Sequence, residues 1–248
     1  MSALPRNIEG LTWCVRIATE VDLRARKEWL EDAGLRLVWV DDRFGLQSAL
    51  FERFASSGDV QDEAARITRS LNGLHRLQFR SSLDLAPVDV MQFHPDGHCT
   101  HYITGHLVIN VSAFGDAQVL NSKGEVVTRK PARPSAPQVV INDALANRAM
   151  RMYGDVREGD WTALYRVFEV IEDDVGNIPK QSWTTRTAIT RFTRCCNSLA
   201  VAGDMARHGR EQQQPPADRI SFHEALEFIE SLLRRWLDYR VNGAAGAP

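Results

Sequence analysis

The chain has 248 residues, of which 44% are hydrophobic and 25% are charged, and its formal net charge is −2. This composition is typical of a globular protein and excludes an intrinsically disordered chain. The near-neutral charge balance excludes a global attraction to nucleic acid or to an anionic membrane, so any polyanion site has to be a local patch.

Several features of the sequence favour a reduced, cytoplasmic setting. The N-terminal segment MSALPRNIEGL has no apolar stretch of signal-peptide length, and no window approaches the length of an apolar membrane span. The four cysteines form no CxxC pair and no disulfide framework. Only four of the basic residues are lysines, which indicates a GC-rich bacterial genome rather than an arginine-specific phosphate surface. We therefore expect a bacterial cytoplasmic protein with no membrane partner.

The N-terminal half predicts an α+β domain with a small antiparallel sheet over residues 1–127. A strand is expected at 11–18, and two further strands at 35–40 and 46–54 flank a turn at 41–45. Asp59 is the expected N-cap of a helix over 60–72, whose apolar residues fall on one face and which ends at Asn72-Gly73. The remaining strand signals lie at 88–93, at 99–114 and in a short hairpin at 119–127.

A linker and a helical bundle are predicted for the rest of the chain. Residues 128–138 are rich in proline and mark the boundary between two domains. Residues 139–240 have helical periodicity, and residues 241–248 form a flexible tail. The predicted helices cover 139–154, a segment capped by Asp160, a segment capped by Ser182 or Thr184, and one that opens with the Ser221–Glu224 capping box.

Two patterns are candidates for metal or acid–base chemistry. His94, Cys99 and His101 fall around a predicted turn, together with His98 and His106, and all are residue types that bind zinc. If 99–106 is a strand, Cys99 and His101 share a face that His94 approaches across the turn. The second pattern is the acidic run from Glu169 to Asp174, although such a run is more often a solvated helix face.

The third candidate site is the polar segment from Asn197 to Gly209. It contains Arg207 and His208, and Arg194 lies one helical turn before Asn197. An imidazole beside a guanidinium suits a general base, and the guanidinium itself suits phosphate stabilisation. The alternative interpretation is a short turn bracketed by Gly203 and Gly209.

The segment from Arg194 to Gly209, the proline-containing loop after it and the helix that begins at Ser221 resemble the last two helices of HEPN domains. The resemblance covers residues 139–240 at most. It implies a helical bundle of a bacterial defence or toxin system, a metal-independent RNase activity and a homodimer. The chain departs from the family's catalytic signature, because Arg207 and His208 are adjacent. The only formal match to the family spacing is Arg69 to His75, in the other half of the chain.

Three functions remain open at the level of the sequence. The leading hypothesis is a HEPN-like domain that binds RNA or a protein partner from the same operon. If it cleaves RNA, His208 is the base and Arg207 or Arg194 stabilises the phosphate. Asn197 lies in the same site, and no cofactor is needed. The alternative is a non-catalytic recognition or docking subunit of a multi-protein complex. A weaker alternative is a metal-dependent hydrolase that uses His94, Cys99 and His101.

Overall fold

The structure, a computed structural model, describes residues 11–103, 107–112, 134–207 and 217–244. Within these ranges an antiparallel sheet occupies the N-terminal half and helices make up the C-terminal half. This arrangement confirms the α+β class predicted from the sequence. The predicted hairpin at 119–127 and residues 128–133 of the predicted linker lie outside the described residues.

The described strands form one antiparallel sheet with the order β2-β3-β1-β4-β5-β6. Among the described strands, β2 therefore lies at one edge of the sheet, and β1 lies near its centre. The segment 99–114, predicted as a single strand, contributes two paired strands, β5 and β6. The strands are β1 (Trp13–Ala18), β2 (Arg36–Val40), β3 (Arg43–Gln47), β4 (Ala86–Phe93), β5 (His98–Ile103) and β6 (Leu107–Ser112).

The turn between β2 and β3 is tighter than the sequence predicted. It consists of Asp41 and Asp42, whose φ angles are 47° and 58°, and β3 already begins at Arg43. Two positive φ values define the hairpin turn whose twist matches that of its strands, and aspartate tolerates this conformation. Gly45 is not a turn residue: it lies within β3, where a Cβ would come within 2.6 Å of the Cys14 Sγ.

The described part of the chain contains eight α-helices. They are α1 (Lys27–Asp32), α2 (Ser57–Phe79), α3 (Ala136–Asn142), α4 (Ala144–Gly154), α5 (Trp161–Val175), α6 (Arg186–Asn197), α7 (Leu199–Ala202) and α8 (Phe222–Ala244). None of these helices has both the length and the apolar character needed to cross a membrane.

Helix α2 continues past the Asn72-Gly73 pair at which the sequence predicted its end. Its N-cap is Ser56 rather than Asp59, and the Ser56 hydroxyl accepts a hydrogen bond from the Asp59 amide at 3.1 Å. Gly73 lies inside the helix because α4 crosses it in close contact: a Cβ there would lie 2.0 Å from the carbonyl oxygen of Met150. The glycine is needed for helix packing and does not terminate the helix.

The C-terminal helices begin at a mixture of predicted and unpredicted caps. Asp160 caps α5 and the Ser221–Glu224 box precedes α8, as the sequence predicted. Helix α6 is capped by Thr185 instead of position 182 or 184. The predicted helix 139–154 is divided at Asp143, which caps α4, and α3 begins earlier, within the predicted linker, at a capping box formed by Ser135.

Helix α2 contributes side chains to two of the hydrophobic cores. Ile67 and Leu71 pack in the core beneath the sheet. Leu74 and Leu77, one to two turns further on, pack in the core of the helical half, which also contains Trp236. The apolar face of this one long helix therefore packs against the sheet in its first part and against the C-terminal helices in its last part.

Candidate functional site

Arg207, a predicted site residue, is held against two helices of the C-terminal half. Its backbone N–H donates to the Cys196 carbonyl at 3.0 Å, at the end of α6. Its guanidinium lies 4.2 Å from the centre of the Tyr165 ring and donates to the Glu169 carboxylate at 2.8 Å. The fold thus brings the polar segment that contains Arg207 into contact with the acidic run on α5. At the level of the sequence, these two segments are separate candidate sites.

The surroundings of Arg207 are acidic. Glu172 follows Glu169 by less than one helical turn. Burial, and then repulsion from Asp173 and Glu169, raise the pKa of the Glu172 carboxyl above its ordinary value. Burial is the larger cause of this raised pKa, and the repulsive part reflects the neighbouring carboxylates. The ion pair with Glu169 already compensates the positive charge of Arg207, which weakens the attraction of this guanidinium for a phosphate.

Two further predicted residues lie at the same end of α6. Arg194 is exposed, and Asn197 is half-buried, three positions later on the same side of the helix. The Oδ1 atom of Asn197 is buried and accepts no hydrogen bond among the described residues. His208 lies outside the described residues. The structure therefore brings Arg194, Asn197 and Arg207 to one corner of the helical half.

Asp174, the last member of the acidic run, has a structural role. Its carboxylate accepts hydrogen bonds from the Trp236 indole and from the Arg240 guanidinium, both at 2.7 Å. Trp236 is fully buried, so its N–H requires such a partner. Asp174 therefore secures α8 to α5.

The predicted zinc ligands of the histidine-rich turn are not assembled into a site. The His94 Nε2 lies 2.9 Å from the Thr100 hydroxyl, whereas Cys99 is buried among apolar side chains and His101 pairs with Asp89. No group of three potential ligands occurs in the described ranges, and His106 lies outside them. In the described part of the chain, His94, Cys99 and His101 therefore have different surroundings and do not converge on a common metal position.

A buried ionic network on the sheet was not predicted from the sequence. Arg16 on β1 forms two hydrogen bonds of 2.6 Å with Asp89 on β4, and His101 on β5 lies 2.9 Å from the same carboxylate. Asp89 is 3% exposed, and its partners satisfy it from both sides. Because 73 and 85 residues separate Arg16 from its two partners, no local pattern could have identified the network.

Three of the four thiols are poor nucleophiles in this environment. Burial raises the pKa of Cys14 and Cys196 and raises that of Cys99 to about 11. These thiols are consequently protonated at neutral pH, whereas the thiolate is the reactive form of cysteine.

The Arg69–His75 match to the HEPN spacing does not form a site either. Arg69 pairs with Asp155 at the surface. His75 is buried, accepts a hydrogen bond from Arg26 at 3.1 Å and contacts the Ser81 carbonyl through Nδ1. Burial lowers the pKa of His75, so the neutral ring joins the end of α2 to the segment around Ser81.

The edge strand β2 borders two surface clefts that share the aromatic pair Trp39 and Phe44. Trp39 is 42% exposed, which is unusual for a tryptophan, and its ring packs edge-on against Phe44. One cleft, of about 360 Å³, has basic walls, and the other, of about 810 Å³, has mainly acidic walls. The charged residues are Arg24 and Lys27 in the first cleft, and Glu20, Asp41, Asp42, Arg43 and Asp84 in the second.

The fold and these surfaces define an α+β protein with an exposed sheet edge and a polar corner on its helical half. No protein family model, no curated protein and no solved structure matches this chain. A function for this chain is therefore inferred from the chemistry of these surfaces.

Proposed function

We propose that this chain is a docking subunit that binds a partner polypeptide as an added strand along β2. The observation that carries the proposal is the edge strand itself, which combines available backbone groups, an exposed tryptophan and a cleft on either side of that tryptophan. Strand addition to a sheet edge is a common mode of polypeptide recognition.

The backbone of β2 offers hydrogen bonds to a partner. The two-residue turn makes Val40 and Arg43 a hydrogen-bonded pair, and the pairs alternate along the hairpin from that point. The N–H and C=O groups of Leu37 and Trp39 consequently point away from β3, and they form no hydrogen bond with a described residue. An added strand satisfies these groups.

The charges along the edge select the partner's sequence. The basic cleft lies beside Leu37 and Val38, and the acidic cleft lies beyond Trp39, next to the Asp41-Asp42 turn. An antiparallel partner strand places its N-terminal end at the turn. Such a strand is therefore expected to begin with basic residues and to end with acidic ones, since complementary charges determine register and direction.

The electrostatics of the Arg207 corner favour docking over RNA cleavage as the main function. A phosphate at Arg207 would have to compete with the ion pair to Glu169 and would face the charges of the rest of the acidic run. The outward backbone groups of Leu37 and Trp39 form no hydrogen bond with a described residue, so a strand added there displaces no such bond. The alternative of a docking subunit is therefore better supported than the nuclease.

A designed peptide tests strand addition. We expect an alternating Val/Thr peptide with N-terminal lysines and C-terminal aspartates to bind and to slow hydrogen exchange at the Leu37 and Trp39 amides. Trp39→Pro removes the outward N–H as well as the indole, whereas Trp39→Ala removes only the indole. We therefore expect Trp39→Ala to bind weakly and Trp39→Pro not to bind.

The peptide with its end charges exchanged is the matched control, and it is expected to bind more weakly at low salt. Equal binding to Trp39→Pro and Trp39→Ala would contradict the proposal. The proposal would also be contradicted if the Leu37 amide exchanged as fast in the presence of bound or excess peptide as it does in the free protein.

One observation supports RNA cleavage as a second candidate function. The Asn197 Oδ1 is buried without a hydrogen bond in the described part of the chain, beside the end of α6 that binds Arg207. A buried acceptor without a donor costs about 1–3 kcal/mol, and such groups often mark functional sites. Asn197 is one of the residues of the HEPN-like nuclease hypothesis, in which His208 is the general base.

Labelled RNA tests this candidate with the wild-type protein, His208→Ala and the exposed-residue control Arg53→Ala. If the corner cleaves RNA, His208→Ala is expected to lower the rate by about 100-fold or more, as loss of a general base does. Arg53→Ala should cleave at the wild-type rate. Cleavage that survives the His208 substitution removes this residue from the mechanism, and a wild-type protein without activity excludes the nuclease.

A further inference from the structure

We infer that the strand added to β2 is β2 of a second copy of this chain, paired antiparallel about a two-fold axis at Val38. This inference rests on the proposed function, because it names the partner of the same edge. It concerns the sheet edge and does not depend on the helical half.

The sequence of β2 has the charge order that the edge requires. The strand begins with Arg36, and the Asp41-Asp42 turn follows its last residue. In an antiparallel pair, the basic start of one copy therefore lies beside the acidic turn of the other. Both ends of the interface become complementary at once, because a two-fold axis repeats every contact.

The register follows from the backbone groups that are available. With the axis at Val38, Leu37 of one copy lies opposite the partner's Trp39, and the reverse pair follows by symmetry. Both residues have outward N–H and C=O groups, so each opposed pair exchanges two backbone hydrogen bonds. An axis at Leu37 or at Trp39 would pair one of these two residues with a position outside β2, and an axis midway between two residues would oppose groups that already bond to β3.

The same register covers the exposed indole. Leu37 and Trp39 lie on the same face of β2, as alternate residues of a strand do. In the pair, each Trp39 therefore packs beside the partner's Leu37 while it keeps its contact with Phe44. The 42% of the Trp39 surface that is exposed in one copy is reduced by this contact.

Sedimentation of the full chain over a range of concentrations tests the inference. We expect the wild-type protein to show a reversible monomer–dimer equilibrium, and Trp39→Pro to be monomeric throughout. Arg36→Glu places like charges together and should weaken the dimer by about tenfold at low salt. Arg53→Glu makes the same charge change at an exposed residue away from β2 and should leave the equilibrium unchanged. Circular dichroism establishes that each variant is folded.

The outcomes separate this inference from the proposed function. A wild-type protein that is monomeric at every concentration, but whose Leu37 amide is protected by the designed peptide, overturns self-pairing and leaves docking intact. A dimer that persists in Trp39→Pro also overturns pairing through β2. Failure of the peptide to bind, together with a monomeric wild type, overturns both.

Discussion

Replacing Gly73 with alanine is expected to lower the free energy of unfolding by about 3 kcal/mol, the upper range for overpacking in a protein core. The added Cβ would lie 2.0 Å from the Met150 carbonyl oxygen and 2.8 Å from its carbon. Gly154 lies at the same crossing, where its own Cβ position is 3.1 Å from the Gly73 Cα. Because the clash is with backbone, no side-chain rotation relieves it, and α2 and α4 have to move apart.

Gly58→Ala is the matched control in the same helix. The nearest atom to its added Cβ is the Ser56 Oγ, at 3.8 Å, so nothing has to move. We expect this variant to be as stable as the wild type or up to about 1 kcal/mol more stable, since alanine restricts the unfolded chain. Urea unfolding followed by circular dichroism measures both changes. Similar stabilities of the two variants would show that the helix crossing tolerates a Cβ.

Removal of the Asp89 carboxylate is the second change with a large expected effect. Asp89→Ala is expected to cost about 3 to 5 kcal/mol, because the Arg16 guanidinium, 14% exposed, is left in the sheet without this partner. Replacing both residues with apolar ones, as in Arg16→Met with Asp89→Leu, should cost less than Asp89→Ala alone. Denaturant unfolding of the three proteins tests the order. A double variant less stable than Asp89→Ala would contradict the ion-pair explanation.

The same carboxylate makes the stability depend on pH. Burial by itself would raise the pKa of Asp89, but the hydrogen bonds and charges of Arg16 and His101 outweigh it and lower this pKa below the ordinary value of 3.8. A lowered pKa in the folded state stabilises the protein above the unfolded pKa, and this contribution is lost as the pH falls through the folded value. Stability should therefore fall more steeply between about pH 5 and pH 3 in the wild type than in Asp89→Asn. The exposed-residue control Asp62→Asn should keep the wild-type slope.

The sequence predicted the features that depend on neighbouring residues. Asp160 and the Ser221–Glu224 box begin helices because a side-chain oxygen reaches an amide two or three positions away. The strand at 11–18 and the helices of the C-terminal half follow from periodicity, which reports one buried face. These local signals were sufficient for the α+β class.

The candidate site was only partly predictable. The chain segment that contains Arg207 was identified from its polar composition, but its contact with Glu169 joins residues 38 positions apart. The edge position of β2 was not predictable, because alternation indicates a strand and says nothing of its neighbours. The functional importance of Trp39 follows from that edge position and from its exposure.

The sequence by itself determined the caps at Asp160 and Ser221, the apolar faces of the main helices and the α+β class, because these depend on contacts within a few residues. Only the tertiary structure decided that Gly73 lies inside a helix, that Asp89 and His101 hold Arg16, and that β2 presents an edge. The physical reason is that each of these properties is a contact, or the lack of one, between segments far apart in the chain. Close packing and strand order decide which distant groups meet, and local chemistry does not encode that choice.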